Sequence, residues 1–237
     1  MIANGIFRRR HLPHWDVEGH PFFVTACLEG SIPAQGWLQL DRFRKQLDSQ
    51  PCPRSMDREQ WNCRKDKLLF AQFDEWLDRR SVVRHLDDER QAQIVRDAFL
   101  HFAGIRYDLF AFVVMPSHHH WLFLPKEEWA RAAVARRCAA RGRRPTAREI
   151  ISHSIQSYTA TMCNRVRGAT GPYWQNEAFD HWARDEAETM RIIDYIERNP
   201  ETAGLVQRPQ DWPFSSAHFR AARGIPRGQP LVLGDMS

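Results

Sequence analysis

No stretch of this 237-residue chain stays apolar for the roughly 20 residues that a membrane-spanning helix needs. Residues 1–10 hold Arg8, Arg9 and Arg10 without an apolar signal core behind them, so a soluble, intracellular protein is expected. Cysteine is scarce: Cys27, Cys52, Cys63, Cys138 and Cys163 are odd in number, and none belongs to a Cys-x-x-Cys pair. A disulfide framework and a zinc knuckle are therefore not indicated. Internal repeats are missing, and the one biased tract is rich in arginine. Only four tyrosines are present, a short list for any chemistry that needs a phenol.

What the chain does have is positive charge, +5 overall. It is clustered at Arg8, Arg9 and Arg10 and again over 126–148, where eight Lys/Arg, among them Arg136, Arg137, Arg143 and Arg144, face only Glu127 and Glu128. A solvated helix and loop would account for such density, but it also suits contacts to the phosphates of a polyanion.

Apolar patterning divides the chain into one domain with appendages. Residues 1–20 lack periodicity and read as a basic arm, 21–206 as a single domain carrying the basic insertion 126–148, and 207–237 as an irregular tail. Within the domain, Phe22–Leu28 reads as a strand. Helical spacing follows at 38–47, a polar loop at 50–66, and a short amphipathic helix at 68–77 with Phe70, Phe73, Trp76 and Leu77 on one stripe. Asp87 or Asp88 caps a helix over 89–102. Two strands, 109–115 and 118–124, flank Pro116-Ser117. A helix then runs over 147–166, with Tyr158 on its apolar face. A strand follows at 179–183, and a helix at 187–198 is expected to stop before Pro200. Strand, helices, two strands, helix, strand, helix is a βαββαβ-like order, which predicts an α+β fold: an antiparallel sheet with helices packed on one face.

The strand opening His118-His-His120 is the chemical focus. Alternate side chains on a strand share a face, so His118 and His120 point together and can grip one metal ion, while His119 points the other way. A half-buried structural cluster fits the same residues, and two histidines still lack a third ligand. The last helix supplies candidates four residues apart on one face: Tyr195, with a phenol nucleophile, and Asn199, with an amide oxygen. Taken alone, Tyr195 also fits a core-edge tyrosine, and Asn199 a residue that merely precedes a proline. Neither Tyr107, Tyr158 nor Tyr173 has a ligand one turn away. Asp194 and Glu197 splay from the tyrosine's face.

Three motifs in order, Val113-Val-Met-Pro-Ser-His-His-His-Trp-Leu122, Gly171-Pro-Tyr-Trp-Gln-Asn-Glu-Ala-Phe-Asp180 and Tyr195-Ile-Glu-Arg-Asn-Pro-Glu-Thr-Ala-Gly-Leu-Val206, resemble the REP-associated tyrosine transposases. These are relatives of the single-tyrosine HUH transposases of small insertion sequences, and the resemblance runs from about Arg9 to about Ala217. It implies a ferredoxin-like domain with an HUH-type site on a central strand, cutting and rejoining single-stranded DNA at or near hairpins. The family's His-hydrophobic-His pair falls on His118 and His120, its nucleophile on Tyr195 and its helix-borne third ligand on Asn199. This chain has Ser117 where the family usually has asparagine and His119 where it usually has an apolar residue, which leaves His119 as a rival for the metal.

The implied reaction is transesterification through a 5′-phosphotyrosine, with Mg²⁺ as the expected ion and Mn²⁺ able to substitute. Expected partners are DNA hairpins, bound by monomer or homodimer in the bacterial cytoplasm at the nucleoid. Arginines would place phosphates, and Trp15 or Trp174 would stack unpaired bases. A domesticated relative that binds hairpins without cutting them is the competing expectation.

Overall fold

The computed structural model describes residues 5–9, 13–141, 145–176 and 178–232. Two short strands come first, β1 (Gly5–Arg9) and β2 (Pro13–Val17), paired antiparallel with Gly5 opposite Val17. Both strands fall within the stretch expected as a basic arm, and β2 lies beside the sheet's last strand.

The main sheet comprises β3 (Phe22–Cys27), β4 (Tyr107–Val114), β5 (His118–Pro125) and β6 (Phe179–Trp182) in the spatial order β4-β5-β3-β6, every neighbouring pair antiparallel. That is the ferredoxin-like order expected of βαββαβ. The helices are α1 (Ala34–Ser49), α2 (Arg58–Arg80), α3 (Glu89–His101), α4 (Glu127–Arg141), α5 (Ala147–Arg167), α6 (Glu186–Thr202) and α7 (Ser216–Arg223).

Because strand side chains alternate, the sheet has two apolar faces, and both are covered. On one, Val24, Leu109, Trp121 and Phe123 meet α3 through Val95 and Phe99 and α5 through Ile151 and Ile155. On the other, Phe23, Val113, Leu122 and Phe179 meet α1 through Leu40 and Leu47, α2 through Phe73 and Leu77, and α6 through Ile193 and Ile196. The α+β class stands, but helices pack on both faces rather than one. Tyr158 also departs from its expected place on the apolar side of α5, being 54% exposed.

Three boundaries differ for identifiable reasons. The expected loop over 50–66 contains the first turns of α2, since Asp57 and Gln60 form a reciprocal capping box and Trp61 and Cys63 are buried. Such a cap contributes about 1 kcal/mol. Pro200 does not end α6: it lies in the last turn, and bonds continue past it, from Ala203 N–H to Asn199 O and from Leu205 N–H to Pro200 O, each 2.9 Å. Proline there has no N–H for the Ile196 carbonyl, so that turn forgoes one backbone bond while the helix continues to Thr202. Within the tail, residues 207–232 are ordered as well. Its helix α7 is anchored by the buried pair of Arg220 Nε with Glu197 Oε1 at 2.9 Å, while Ser216 donates to the same carboxylate oxygen at 3.0 Å. Leu231 N–H bonds Leu109 O at 2.7 Å.

Candidate active site

β5 is one of the two central strands, and its register places His120 between Thr25 and Val113 and His119 between Ala26 and Val114. All three histidines are buried, at most 1% exposed. His118 and His120 project toward α2 and α6, with their Nε2 atoms 3.0 Å apart. His119 projects to the opposite face, its ring edge-on to Trp174 at 4.9 Å and Phe99 at 5.1 Å. It therefore packs in the core and does not compete for an ion.

Each member of the histidine pair has a hydroxyl behind it. Ser117 Oγ donates to Leu77 O at 3.1 Å and so accepts from His118 Nδ1, 2.9 Å away. Thr25 Oγ1 lies 2.7 Å from His120 Nδ1. With Nδ1 carrying the proton, each ring turns an Nε2 lone pair to the same point, which is how outer oxygen partners orient metal-ligating imidazoles. Burial, with His119 adding to it, pushes His118 down to about 3. Burial also holds His120 well below the ordinary histidine value. Both are thus neutral imidazoles, the form that binds metal.

The other side of the site comes from α6 and α2. Tyr195 Oη lies 3.5 Å from His120 Nε2, and Asn199 Nδ2 lies 3.3 Å from that hydroxyl and 3.5 Å from His120 Nε2. The helical spacing of four thus brings both α6 residues to the histidine pair. Unexpected from the sequence are two aspartates one turn apart on α2: Asp74 Oδ1 is 3.5 Å from His120 Nε2, and Asp78 Oδ1 is 3.6 Å from His118 Nε2. Tyr195 donates its hydroxyl proton to Asp74 Oδ2 at 2.6 Å.

This donor set fits a divalent ion. Nitrogens each about 2.1 Å from one ion and at right angles would be about 3.0 Å apart, which is the observed separation. Asp74, His118 and His120 offer ligand atoms all within 4.8 Å of one another. Asp74 Oδ1 and Asn199 Oδ1 are buried without a hydrogen-bond partner among the described residues. Rotating the Asn199 amide by half a turn exchanges its oxygen for the nitrogen now near His120. Charge points the same way: burial, then Asp78, pushes Asp74 up to about 7, and burial, then Asp74, pushes the Tyr195 phenol well above its ordinary value. A cation at this point would oppose both shifts.

The described residues among those expected to contact DNA are not part of this cluster. Arg136 is exposed and Arg137 half-buried on α4. Arg8 and Arg9 lie in β1 and Trp15 in β2, while Arg10, Arg143 and Arg144 fall outside the described residues. Trp174 cannot stack on a base: it is 7% exposed, with Nε1 donating to Thr159 Oγ1 at 2.9 Å. Glu197 serves α7, and Asp194 pairs with Arg227 at 2.8 Å. Among the described residues no helix is long and apolar enough to cross a membrane.

No family model matches the chain. It is similar to two curated proteins, the REP-associated tyrosine transposases of Haemophilus influenzae and Escherichia coli. The first is 36% identical over 55 residues, 23% of this chain and 31% of the relative. The second is 38% identical over 52 residues, 22% of this chain and 32% of the relative. The chain thus spans about a third of the length of the curated relatives it matches. A solved structure of a REP-associated tyrosine transposase bound to a REP hairpin aligns over 92% of this chain and 87% of that one, with 20% identity and a TM-score of 0.48.

Proposed function

We propose that this protein cuts and rejoins single-stranded DNA at or beside hairpins, with Tyr195 forming a 5′-phosphotyrosine intermediate. The observation that carries this is the meeting of a tyrosine hydroxyl with a histidine pair 75 residues away in sequence, Tyr195 Oη to His120 Nε2 at 3.5 Å. Sequence similarity to tyrosine transposases adds support.

His118 Nε2, His120 Nε2 and Asp74 Oδ1 would hold a divalent ion, Mg²⁺ or Mn²⁺, with the Asn199 amide oxygen beside them. Such an ion supplies Lewis-acid polarisation of a non-bridging phosphate oxygen. Asp74 divides its two oxygens between tasks: Oδ1 faces the histidines and Oδ2 holds the tyrosine proton at 2.6 Å. As Tyr195 Oη attacks phosphorus, its proton passes to Asp74 Oδ2, the carboxylate oxygen that already accepts it at 2.6 Å. The new bond joins Oη to the 5′ phosphate. The bond to the 3′ oxygen breaks, and that oxygen leaves as a hydroxyl after taking a proton from solvent. Attack by a 3′ hydroxyl on the tyrosyl ester runs the sequence backward and returns the proton to Tyr195, so rejoining needs no ATP.

We place this activity on hairpin-bearing DNA in the cytoplasm, with the protein acting as monomer or homodimer. The test is incubation with labelled hairpin-bearing single-stranded DNA in Mg²⁺ or Mn²⁺, followed by a denaturing gel. A labelled protein band, lost in Tyr195→Phe and in His118→Ala, supports the proposal. Hairpin binding with neither adduct nor cleavage would make this a binding protein instead. Phosphate-ester hydrolysis that survives Tyr195→Phe would make it a metal-dependent hydrolase.

A further inference from the structure

Beside Tyr195, between α2 and α6, lies a cavity of about 640 Å³, lined by Phe23, Phe179 and His181 among others. Tyr195 and Asp74 form part of its wall, so whatever fills it sits next to the reacting hydroxyl. Along α2, Asp66, Phe70, Asp74 and Asp78 recur every four residues and all line this cavity, a stripe about 18 Å long at 1.5 Å per residue. Phe70 in this stripe is half-buried, with its ring centroid 4.5 Å from Phe179 and 5.7 Å from Tyr195.

The lining chemistry selects one kind of occupant. Aromatic rings offer stacking, which any nucleobase accepts. The carboxylates of Asp66 and Glu75 line the same space and repel phosphate, whereas Lys67 and Arg191 are exposed among the lining residues. A strand would therefore place its base inside and its phosphates outside. Ionised carboxylates only accept hydrogen bonds, so they favour a base edge bearing an amino group, such as N4 of cytosine or N6 of adenine, and oppose the carbonyls of thymine.

We propose that this cavity is a nucleobase pocket: it takes the unpaired base next to the phosphodiester that Tyr195 attacks, stacks it on Phe70, and admits cytosine or adenine in preference to thymine. The pocket rests on the strand-transfer role of Tyr195, whose failure the following test separates from its own.

Hairpin oligonucleotides with one common stem carry single-stranded flanks of dC, dA, dT or abasic residues, and both affinity and adduct formation are measured in Mn²⁺. The dC and dA flanks should bind about tenfold more tightly than dT or abasic flanks. Phe70→Ala should bring every flank to the abasic level while leaving affinity for the flankless stem unchanged. Glu75→Gln, which leaves the aromatic packing alone, should bring dT to within about threefold of dC by replacing an acceptor-only group with one that also donates. Equal affinity and equal adduct formation on all four flanks would overturn the pocket and leave the strand-transfer role standing. Flank-dependent binding without an adduct on any DNA would overturn that role and leave the pocket standing. Failure to bind any flank more tightly than the bare stem overturns the pocket.

Discussion

Replacing Ser117 by alanine tests whether the histidine pair is oriented from behind. The hydroxyl is buried, accepts from His118 Nδ1 at 2.9 Å and donates to Leu77 O of α2 at 3.1 Å. Alanine removes both bonds without adding volume. The stranded imidazole N–H costs about 1–3 kcal/mol, and the carbonyl, which tolerates under-satisfaction better, about 1 kcal/mol. The variant should therefore be destabilised by about 2–4 kcal/mol in urea unfolding at unchanged m-value. His118 should also lose its fixed tautomer, so Mn²⁺ affinity measured by calorimetry should fall about 10–100-fold. Thr25→Val, which deletes the hydroxyl 2.7 Å from His120 Nδ1, should do the same to the other ring. Wild-type Mn²⁺ affinity in a folded Ser117→Ala protein would refute the reasoning, since lost stability alone is the signature of a packing role.

Other expectations follow from the same structure. Arg220→Met leaves Glu197 buried with Arg227 as its remaining cationic partner at 3.0 Å; it should cost about 3–5 kcal/mol, read as a lower urea midpoint. Burial alone would raise Glu188, but hydrogen bonds from His181, the Arg184 N–H and Lys67 outweigh it and hold this carboxyl well below the glutamate range. Its contribution to stability is therefore present above the unfolded-state value, about 4.3, and is lost as pH falls below it. Glu188→Gln should be less stable than wild type at neutral pH and flatten the decline between pH 5 and 3 in a urea-midpoint series, and an unchanged profile would contradict this. Reversing the charges of Arg136, Arg137, Arg143 and Arg144 should weaken hairpin binding and flatten its salt dependence; unaltered affinity and slope would mark that segment as solvated surface.

The fold was legible where periodicity is strong. Helices α3 and α5 and the strands around Pro116-Ser117 carry clean apolar patterns, and their order yields the antiparallel sheet. The histidine pair and the Tyr195/Asn199 spacing needed only the geometry of a strand and a helix. Asp74 and Asp78 were hidden because aspartates in an amphipathic helix read as solvated residues. Their signal was position, since both continue the four-residue stripe that includes Phe70. Helix α2 was cut short because the Asp57/Gln60 capping box lies in a stretch whose polarity resembles a loop. Residues 207–232 are tied to α6 by Glu197 with Arg220 and Arg227 and by Asp194 with Arg227, and long-range ion pairs leave no periodic trace. Trp174 illustrates the converse: expected as an exposed aromatic for stacking bases, it is buried edge-on against His119.

The most direct test of the central claim is identification of the residue and the DNA end in the covalent product. Protease and nuclease digestion of the adduct, followed by mass spectrometry, should find the peptide containing Tyr195 carrying a nucleotide through its 5′ phosphate, with a free 3′ hydroxyl on the released strand. A nucleotide on any other residue, or a 3′-phosphate linkage, would contradict the account.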